Sequence, residues 1–395
     1  MWSWSARLGV CALVCLGAFG SADLGPVAAQ GLAEEVSEPP GPQVFASTDE
    51  GFGARAADGS FAVRLGGLLT MRNGLRDMAG SARTPFSEVR LARLAFGGHV
   101  GRPFLHYFLQ AEFAGASGPR LLDAEVAFAP MSELRIRLGQ FRLPVSRQFM
   151  TGLPQIGLTE RSFVSDYFRV GRDTGIMAQG QAWAGRFEYY AGVFNGNGVN
   201  AGGNDNPELL YVARVVWAPL GALPYDETLA QEGGPLRMAV GVSGAHDRLA
   251  RSHDQLSPTA GNFEAVSDPD LVRAVFGFDV TLTVGGLWLT VEGFRESRNP
   301  EGAGRYLGAG GFLQAGYFVD PALELVGRLN WLAPDTEATD LDGVRRLELG
   351  GNWYLAGNHA KLQLRYAYTE VDAEVAQLPA VATGHEEVLQ CQLQI

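Results

Sequence analysis

The chain has 395 residues and a net charge of −12, and 46% of its residues are hydrophobic and 10% aromatic. After the N-terminus no run reaches the roughly 18 consecutive apolar residues of a membrane-spanning helix, which leaves β-structure as the only route across a bilayer. Of its 31 basic residues all but Lys361 are arginine, and they are too dispersed for a nucleic-acid interface.

Arg7 followed by an apolar run of about 12 residues, Leu8 to Phe19, reads as a secretory signal, too short to span a bilayer. Small residues offer cleavage after Ala22 or Ala29. The second is taken, so that residues 1–29 are signal peptide and Gln30 begins the mature chain. Cleavage removes Cys11 and Cys15 and leaves Cys391 alone, so no intrachain disulfide framework is possible. Gln30 to Glu50, with its "AEEVSEPPGPQ", reads as a flexible linker, and residues 30–58 as a periplasmic approach to the first strand.

From Phe61 onward the apolar period is two. "FAVRLGGLLTM" sets Phe61, Val63, Leu65, Leu69 and Met71 against Ala62, Arg64, Gly66 and Thr70. "VRAVFGFDVTLTV" sets Phe276, Phe278 and Val280 against Arg273, Asp279 and Thr281, and "KLQLRYAYTE" sets Leu362, Leu364 and Tyr366 against Lys361, Gln363 and Arg365. Such strands suit either a soluble sandwich, apolar face inward, or a membrane barrel, apolar face outward. Sixteen runs start near Phe61, Glu88, Phe104, Leu121, Leu134, Thr174, Arg186, Leu209, Leu236, Leu271, Leu287, Leu307, Leu323, Leu347, Lys361 and Glu387. Their connections alternate short and long. The long ones are Asn73–Phe86, Leu143–Arg172, Asn195–Pro207, Asp247–Asp268, Arg295–Tyr306, Ala333–Gly343 and Val371–Glu386. Short periplasmic turns and long external loops produce this asymmetry in outer-membrane barrels. Two connections break the rule: Pro219–Gly234 is long on the short side, and Gly115–Pro119 is short on the long side. The chain ends as a strand, "LQCQLQI", suited to closing on the first. Trp217, Tyr317, Trp331, Trp353 and Tyr354 near strand ends suggest an interfacial aromatic girdle. The expected fold is therefore an all-β, transmembrane antiparallel barrel of about 16 strands over residues 59–395.

The stretches "GFGARAADGSFAVRLGGLL", "LLDAEVAFAPMSELRIRLGQFRLPVSRQ", "ERSFVSDYFRVGRDTGIMAQGQ", "FEYYAGVFNGNG" and "LLYVARVVWAP", in this order between about Gly51 and Pro219, resemble the phosphate-selective porin O and P family. The later half resembles it only in strand rhythm. The resemblance implies a homotrimeric sixteen-stranded outer-membrane channel whose third external loop folds into the lumen. It does not by itself imply phosphate, because members differ in what they pass.

By counting, Leu143–Arg172 is that third loop. Folded inward, its Arg147, Arg161, Arg169 and Arg172 would face permeant ions, and rings of arginine are how anion pores select. The bland reading is a solvated loop with internal pairs, such as Arg172 with Asp166 or Arg161 with Glu160. On the wall, parity places Arg64, Arg135, Arg137, Arg273, Lys361 and Arg365 toward the lumen, because arginine on the lipid face would cost roughly 2–4 kcal/mol at mid-depth. Here too a bland reading exists, a ladder of arginine–acid pairs that holds the lumen open. The ten residues Arg64, Arg135, Arg137, Arg147, Arg161, Arg169, Arg172, Arg273, Lys361 and Arg365 form the candidate pore-lining set.

No His spacing fits a zinc site, and neither G-x-S-x-G nor a Walker motif occurs, so no catalytic residue, metal or cofactor is assigned and an enzyme is not expected. "GNGVNAGG" lacks the strand–helix context of a dinucleotide site. The expected function is an outer-membrane porin, a water-filled channel for small solutes, anion-preferring and a candidate for phosphate. The rivals are a general porin without selectivity, a plugged structural or surface-binding barrel and, as an outlier, an outer-membrane hydrolase. Its expected partners are small anions, outer-membrane lipid and two further copies of itself.

Overall fold

The computed structural model describes residues 41–47, 51–79, 81–101, 104–115, 118–249, 271–299, 305–334, 343–372 and 383–395. The expected signal peptide, the first part of the linker and much of the connections 250–270, 335–342 and 373–382 lie outside the described residues.

Two short strands come first, β1 (Gln43–Ser47) and β2 (Gly51–Arg55). Sixteen follow: β3 (Phe61–Met78), β4 (Thr84–Val100), β5 (Leu105–Glu112), β6 (Arg120–Met131), β7 (Leu134–Arg142), β8 (Arg172–Ala182), β9 (Phe187–Phe194), β10 (Leu210–Trp217), β11 (Arg237–Leu249), β12 (Leu271–Val284), β13 (Leu287–Asn299), β14 (Tyr306–Asp320), β15 (Leu323–Ala333), β16 (Val344–Ala356), β17 (Ala360–Val371) and β18 (Gly384–Gln394). Each pairs antiparallel with its sequence neighbour, and β18 returns to pair with β3, closing a sixteen-stranded barrel. The period-two pattern locates every one of these strands.

Closure shares one edge of β3. From Met78 down to Leu68 that edge bonds β18, and Gly67 exchanges both backbone hydrogen bonds with Ile395 at 2.9 Å. Where the chain ends, β2 takes over, pairing Phe52–Arg55 with Leu65–Ala62. The N-terminal hairpin of β1 and β2 thus covers a stretch of strand edge that would otherwise present unpaired backbone groups. This hairpin has no signal in the residue pattern, because β1 falls in the Pro- and Glu-rich stretch expected to be linker.

The outer face is apolar: Leu94, Phe96, Leu138, Val215, Phe276, Leu329, Leu349, Leu364 and Leu389 are all exposed. The inner face is polar and shielded: Glu112, Arg214, Arg273, Asp279, Glu292, Glu324, Arg328, Glu348 and Lys361 are all buried. Only the membrane barrel of the two expected architectures has this sidedness. Trp217, Tyr317 and Trp353 face outward as a girdle requires, but Tyr354 turns inward and its hydroxyl donates to Glu324 at 2.6 Å. Adjacent residues of one strand cannot share a face.

The connection expected at Asn73–Phe86 is mostly ladder, because β3 and β4 stay paired to Arg76 and Thr84. Beyond the hydrocarbon a strand needs no apolar side, so the alternation fades while backbone pairing continues.

Candidate functional site

The chain leaves β7 at Arg142, returns at Arg172, and packs inside the barrel between them. This third loop holds a short helix α1 (Arg147–Met150), a 3₁₀ turn (Leu153–Gln155) and a second helix α2 (Phe163–Phe168). Ser146 caps α1 by accepting from the Phe149 N–H, and Ser162 caps α2 by accepting from the N–H groups of Val164 and Ser165.

The loop is fastened to the wall from β11 round to β4. Glu292 of β13 accepts from the Gln148 N–H at 2.5 Å and from Ser146 Oγ at 2.7 Å. Ser162 donates to Asn330 of β15 at 2.6 Å, and Asn352 of β16 donates to the Gly157 carbonyl at 2.6 Å. Lys361 of β17 reaches the carbonyls of Pro154 at 2.8 Å and Ile156 at 3.0 Å. Glu160 is held by Arg72 of β3 at 2.6 Å and Arg90 of β4 at 2.8 Å. Burial pushes the Glu160 carboxyl up, but the two guanidiniums outweigh it and hold the group well below the usual carboxylate range. Apolar contacts follow the same path. Leu143, Val145, Val164, Tyr167, Phe168 and Val170 share a cluster with lumen-side Met177, Phe194, Val212, Val275, Phe294 and Leu332. Glycines on the wall make the seats: a Cβ at Gly310 would stand 2.9 Å from the Phe168 ring, and one at Gly350 would stand 2.5 Å from Leu158.

On the side away from these fastenings, arginines from β4, β7, β8 and the loop converge. Arg93 bonds Glu112 at 2.7 Å, Arg172 forks onto Asp123 at 3.1 and 3.0 Å, and Arg169 pairs Asp166 at 3.2 Å. Two others make their hydrogen bonds to backbone carbonyls. Arg142 donates to the carbonyls of Phe149, Met150 and Thr151 at 3.2–3.3 Å, and Arg161 to those of Gln148 at 3.0 Å and Thr151 at 2.6 Å. Together they satisfy the carbonyl end of α1. Arg142 stands among Arg172, Arg161 and Arg93, and Arg161 among Arg169, Arg93 and Arg172. Burial, aided by these cations and opposed by Asp166, pushes the Arg161 guanidinium down to about 9. Phe149 serves as a post, with Arg161, Arg169 and Arg142 at 5.4, 4.9 and 6.0 Å from its ring centre. Nearer the periplasmic end Arg137 pairs Glu125, with Arg135 at 3.7 Å from the same residue.

The structure therefore divides the ten sequence candidates. Arg161, Arg169 and Arg172 meet in one cluster, with Arg137 and Arg135 below it. Arg147 points elsewhere, to the carbonyls of Leu223 and Pro224 at 3.2 and 2.7 Å. Arg273 is buried against Glu296 at 2.5 Å, and Arg365 is buried between Glu348 and Glu386. Lys361 grips the loop, and Arg64 is exposed at the periplasmic end of β3. The internal pairs envisaged for the loop are replaced: Arg172 takes Asp123, Arg161 takes carbonyls, and Glu160 takes Arg72 and Arg90.

Sequence parity missed Arg90, Arg93 and Arg142. A β-bulge explains the first two. Between Thr70 and Met71 of β3 the partner on β4 jumps from Leu91 to Val89, leaving Arg90 as an extra residue. A bulge re-aims the side chains on either side of it, so one strict alternation cannot assign both. Arg142 follows Gly139, whose φ of +124° interrupts β7, and Gln140 and Phe141 are then both buried.

The model of the phosphate-selective porin O and P family matches residues 75–395. No curated protein sequence matches the chain significantly. Among solved structures, it is similar to an anion-selective porin from Comamonas acidovorans, with 16% identity and a TM-score of 0.60 over 84% of this chain and 98% of that one. It is similar to OmpF of Salmonella typhi in complex with daunomycin, with 11% identity and a TM-score of 0.61 over 85% and 98%. A trimer form of OmpT from Vibrio cholerae matches with 14% identity and a TM-score of 0.54 over 85% and 100%. A closed sixteen-stranded barrel with an apolar exterior, a polar interior and a matching family model leads to one conclusion: the chain belongs to the phosphate-selective porin O and P family and is an outer-membrane diffusion channel.

Proposed function

We propose that the channel prefers small anions and that phosphate is among them. The observation that carries this reading is the excess of guanidinium over carboxylate beside the third loop. Arg90, Arg93, Arg142, Arg161, Arg169 and Arg172 face Glu112, Asp123, Glu160 and Asp166, and Arg142 and Arg161 bond carbonyls instead of acids. A low-dielectric wall focuses such a field onto the water beside it, and planar forks match the oxygens of phosphate or carboxylate. The likeness to a porin described as anion-selective supports the same reading. The negative net charge of −12 does not by itself oppose it, because acids such as those of "AEEVSE" fall in the stretch that the sequence reads as linker.

Reversal potential across a planar bilayer in a KCl gradient is the test. Anion-positive selectivity that shrinks on Arg161→Gln supports the reading, and cation preference overturns it. Inorganic phosphate added to a chloride solution then reports a phosphate site as block of the chloride current. A reversal potential near zero in both proteins leaves a general porin. We further propose a homotrimer, as in the trimer form of the Vibrio cholerae protein, and export through a signal cleaved after Ala29. Sedimentation in detergent and the mass of the mature N-terminus check these two.

A further inference from the structure

We infer that the periplasmic loop 219–234 is the second jaw of the constriction and that Glu227 is the residue positioning the third loop against it. This loop joins β10 to β11 on the side where other turns are short. It does not hang in solvent. It crosses the barrel mouth, where Gly234 accepts from the Gly285 N–H at 2.9 Å, Gln231 donates to the Pro321 carbonyl at 2.5 Å, and Asn358 donates to Thr228 at 2.8 Å. Those three partners lie in the turns after β12, β14 and β16.

From there the loop meets the third loop inside the lumen. Glu227, 7% exposed, accepts from Gln148 Nε2 at 2.9 Å, from the Gly157 N–H at 2.7 Å and from Gln314 Nε2 at 2.8 Å. One carboxylate therefore ties α1, the segment after the 3₁₀ turn and the wall at β14 together. The Glu227 N–H donates to the Gln155 carbonyl at 3.0 Å. Arg147 returns the contact by donating to the Leu223 and Pro224 carbonyls, with its guanidinium 4.6 Å from the Tyr225 ring centre. Ala230 joins Leu158 of the third loop in one apolar cluster with Trp288, Phe318, Val326 and Tyr354 of the wall. A cavity between the two loops and the wall, bounded by Arg147, Glu227, Thr281 and Trp288, measures about 10 Å³, room for one water and no solute.

Two loops from opposite membrane faces thus close the lumen beside β12–β16, and passage is confined to the arginine side. Glu227 acts on permeation through the third loop, not by touching the solute. This inference rests on the channel function and is independent of the anion preference. A wild-type channel that conducts with cation preference would sink the anion reading and leave this one to be tested unchanged.

The experiment is single-channel recording from the purified full-length barrel in KCl. Glu227→Ala is expected to raise conductance at least about 1.5-fold by widening the path, to add current noise, and to lower charge selectivity although no arginine has changed. The pair Gln231→Ala with Asn358→Ala frees the loop at the mouth and leaves Glu227 in place, and a smaller rise is expected there. If Glu227→Ala fails to fold, judged by its heat-modifiable mobility on gels, the pair decides. Folded variants with wild-type conductance, noise and reversal potential, altered only in thermal stability, would overturn the proposal.

Discussion

Arg328 and Arg172 are lumen-side arginines of one barrel, and they sit in opposite surroundings. Arg328 of β15 is 1% exposed, bonded to Glu348 at 2.6 Å, to Gln314 at 3.1 Å and to the Glu160 carbonyl at 3.0 Å. Its neighbours continue the pairing: Glu348 also takes Arg365, Arg365 takes Glu386, and Glu386 takes Arg76. Arg214 with Asp279 and Arg273 with Glu296 repeat the arrangement on β10–β13. Arg172 of β8 has a side chain 12% exposed, and behind its single acid, Asp123, stand further arginines. The first region spends its charge on itself, so little field reaches the water. The second has more positive charge than its acids neutralise. A ladder of arginine–acid pairs and an arginine cluster facing the ion were rival readings of the sequence; the barrel contains a fully paired region and a region where arginines outnumber their acids.

The largest effect that could break this contrast is on stability. Glu348→Ala leaves Arg328 buried without its acid and Arg365 with Glu386 alone, and should cost about 3–5 kcal/mol, seen as a lowered unfolding temperature in detergent, with the reversal potential of the surviving channels unchanged. A shifted selectivity would show that the paired side also faces the ion. Next, Arg161→Gln with Arg172→Gln should lower the anion-to-cation permeability ratio at least about fivefold for each charge removed, because about 1 kcal/mol of interaction at about 4 Å in water-like surroundings favours the anion by that factor and disfavours the cation as well. An unchanged ratio would remove the arginine cluster from the pathway. Lys361→Met strips two carbonyls of their buried donor, a loss of about 1–3 kcal/mol for each, and loosens the loop at Pro154 and Ile156. Open-channel noise should rise while ion preference holds.

The smallest expected effect is that of pH. The Glu160 pKa is depressed in the folded state, so its contribution to holding the loop is fully present above the ordinary carboxylate range and is lost only as pH falls through the depressed value. Conductance should therefore stay flat between about pH 8 and pH 5 as far as this fastening is concerned. Added noise within that window would mean that Glu160 does not keep its charge.

Much of the fold was legible because strand sidedness is a local property. Phe276, Asp279 and Thr281 reveal their faces by spacing alone, and so do Lys361, Leu364 and Arg365. The sites of failure have local causes too. Arg90 was missed because a bulge spoils parity, and β1 was read as linker because only its pairing with β2 makes a strand of that composition. The loop 219–234 did leave a trace, an over-long connection on the side of short turns, but length alone does not say that Glu227 turns inward.

The sequence by itself determined the barrel, its closure on the C-terminal strand, the polar inner face and the position of the third loop in chain order. These follow from period-two hydrophobicity and connection length, which act between near neighbours. Only the tertiary structure decided which arginines are neutralised. That depends on pairings such as Arg72 with Glu160 and Arg328 with Glu348, made between wall and loop or between strands. Net field is the difference between opposing charges brought together by closure, and no single segment of the chain contains both terms.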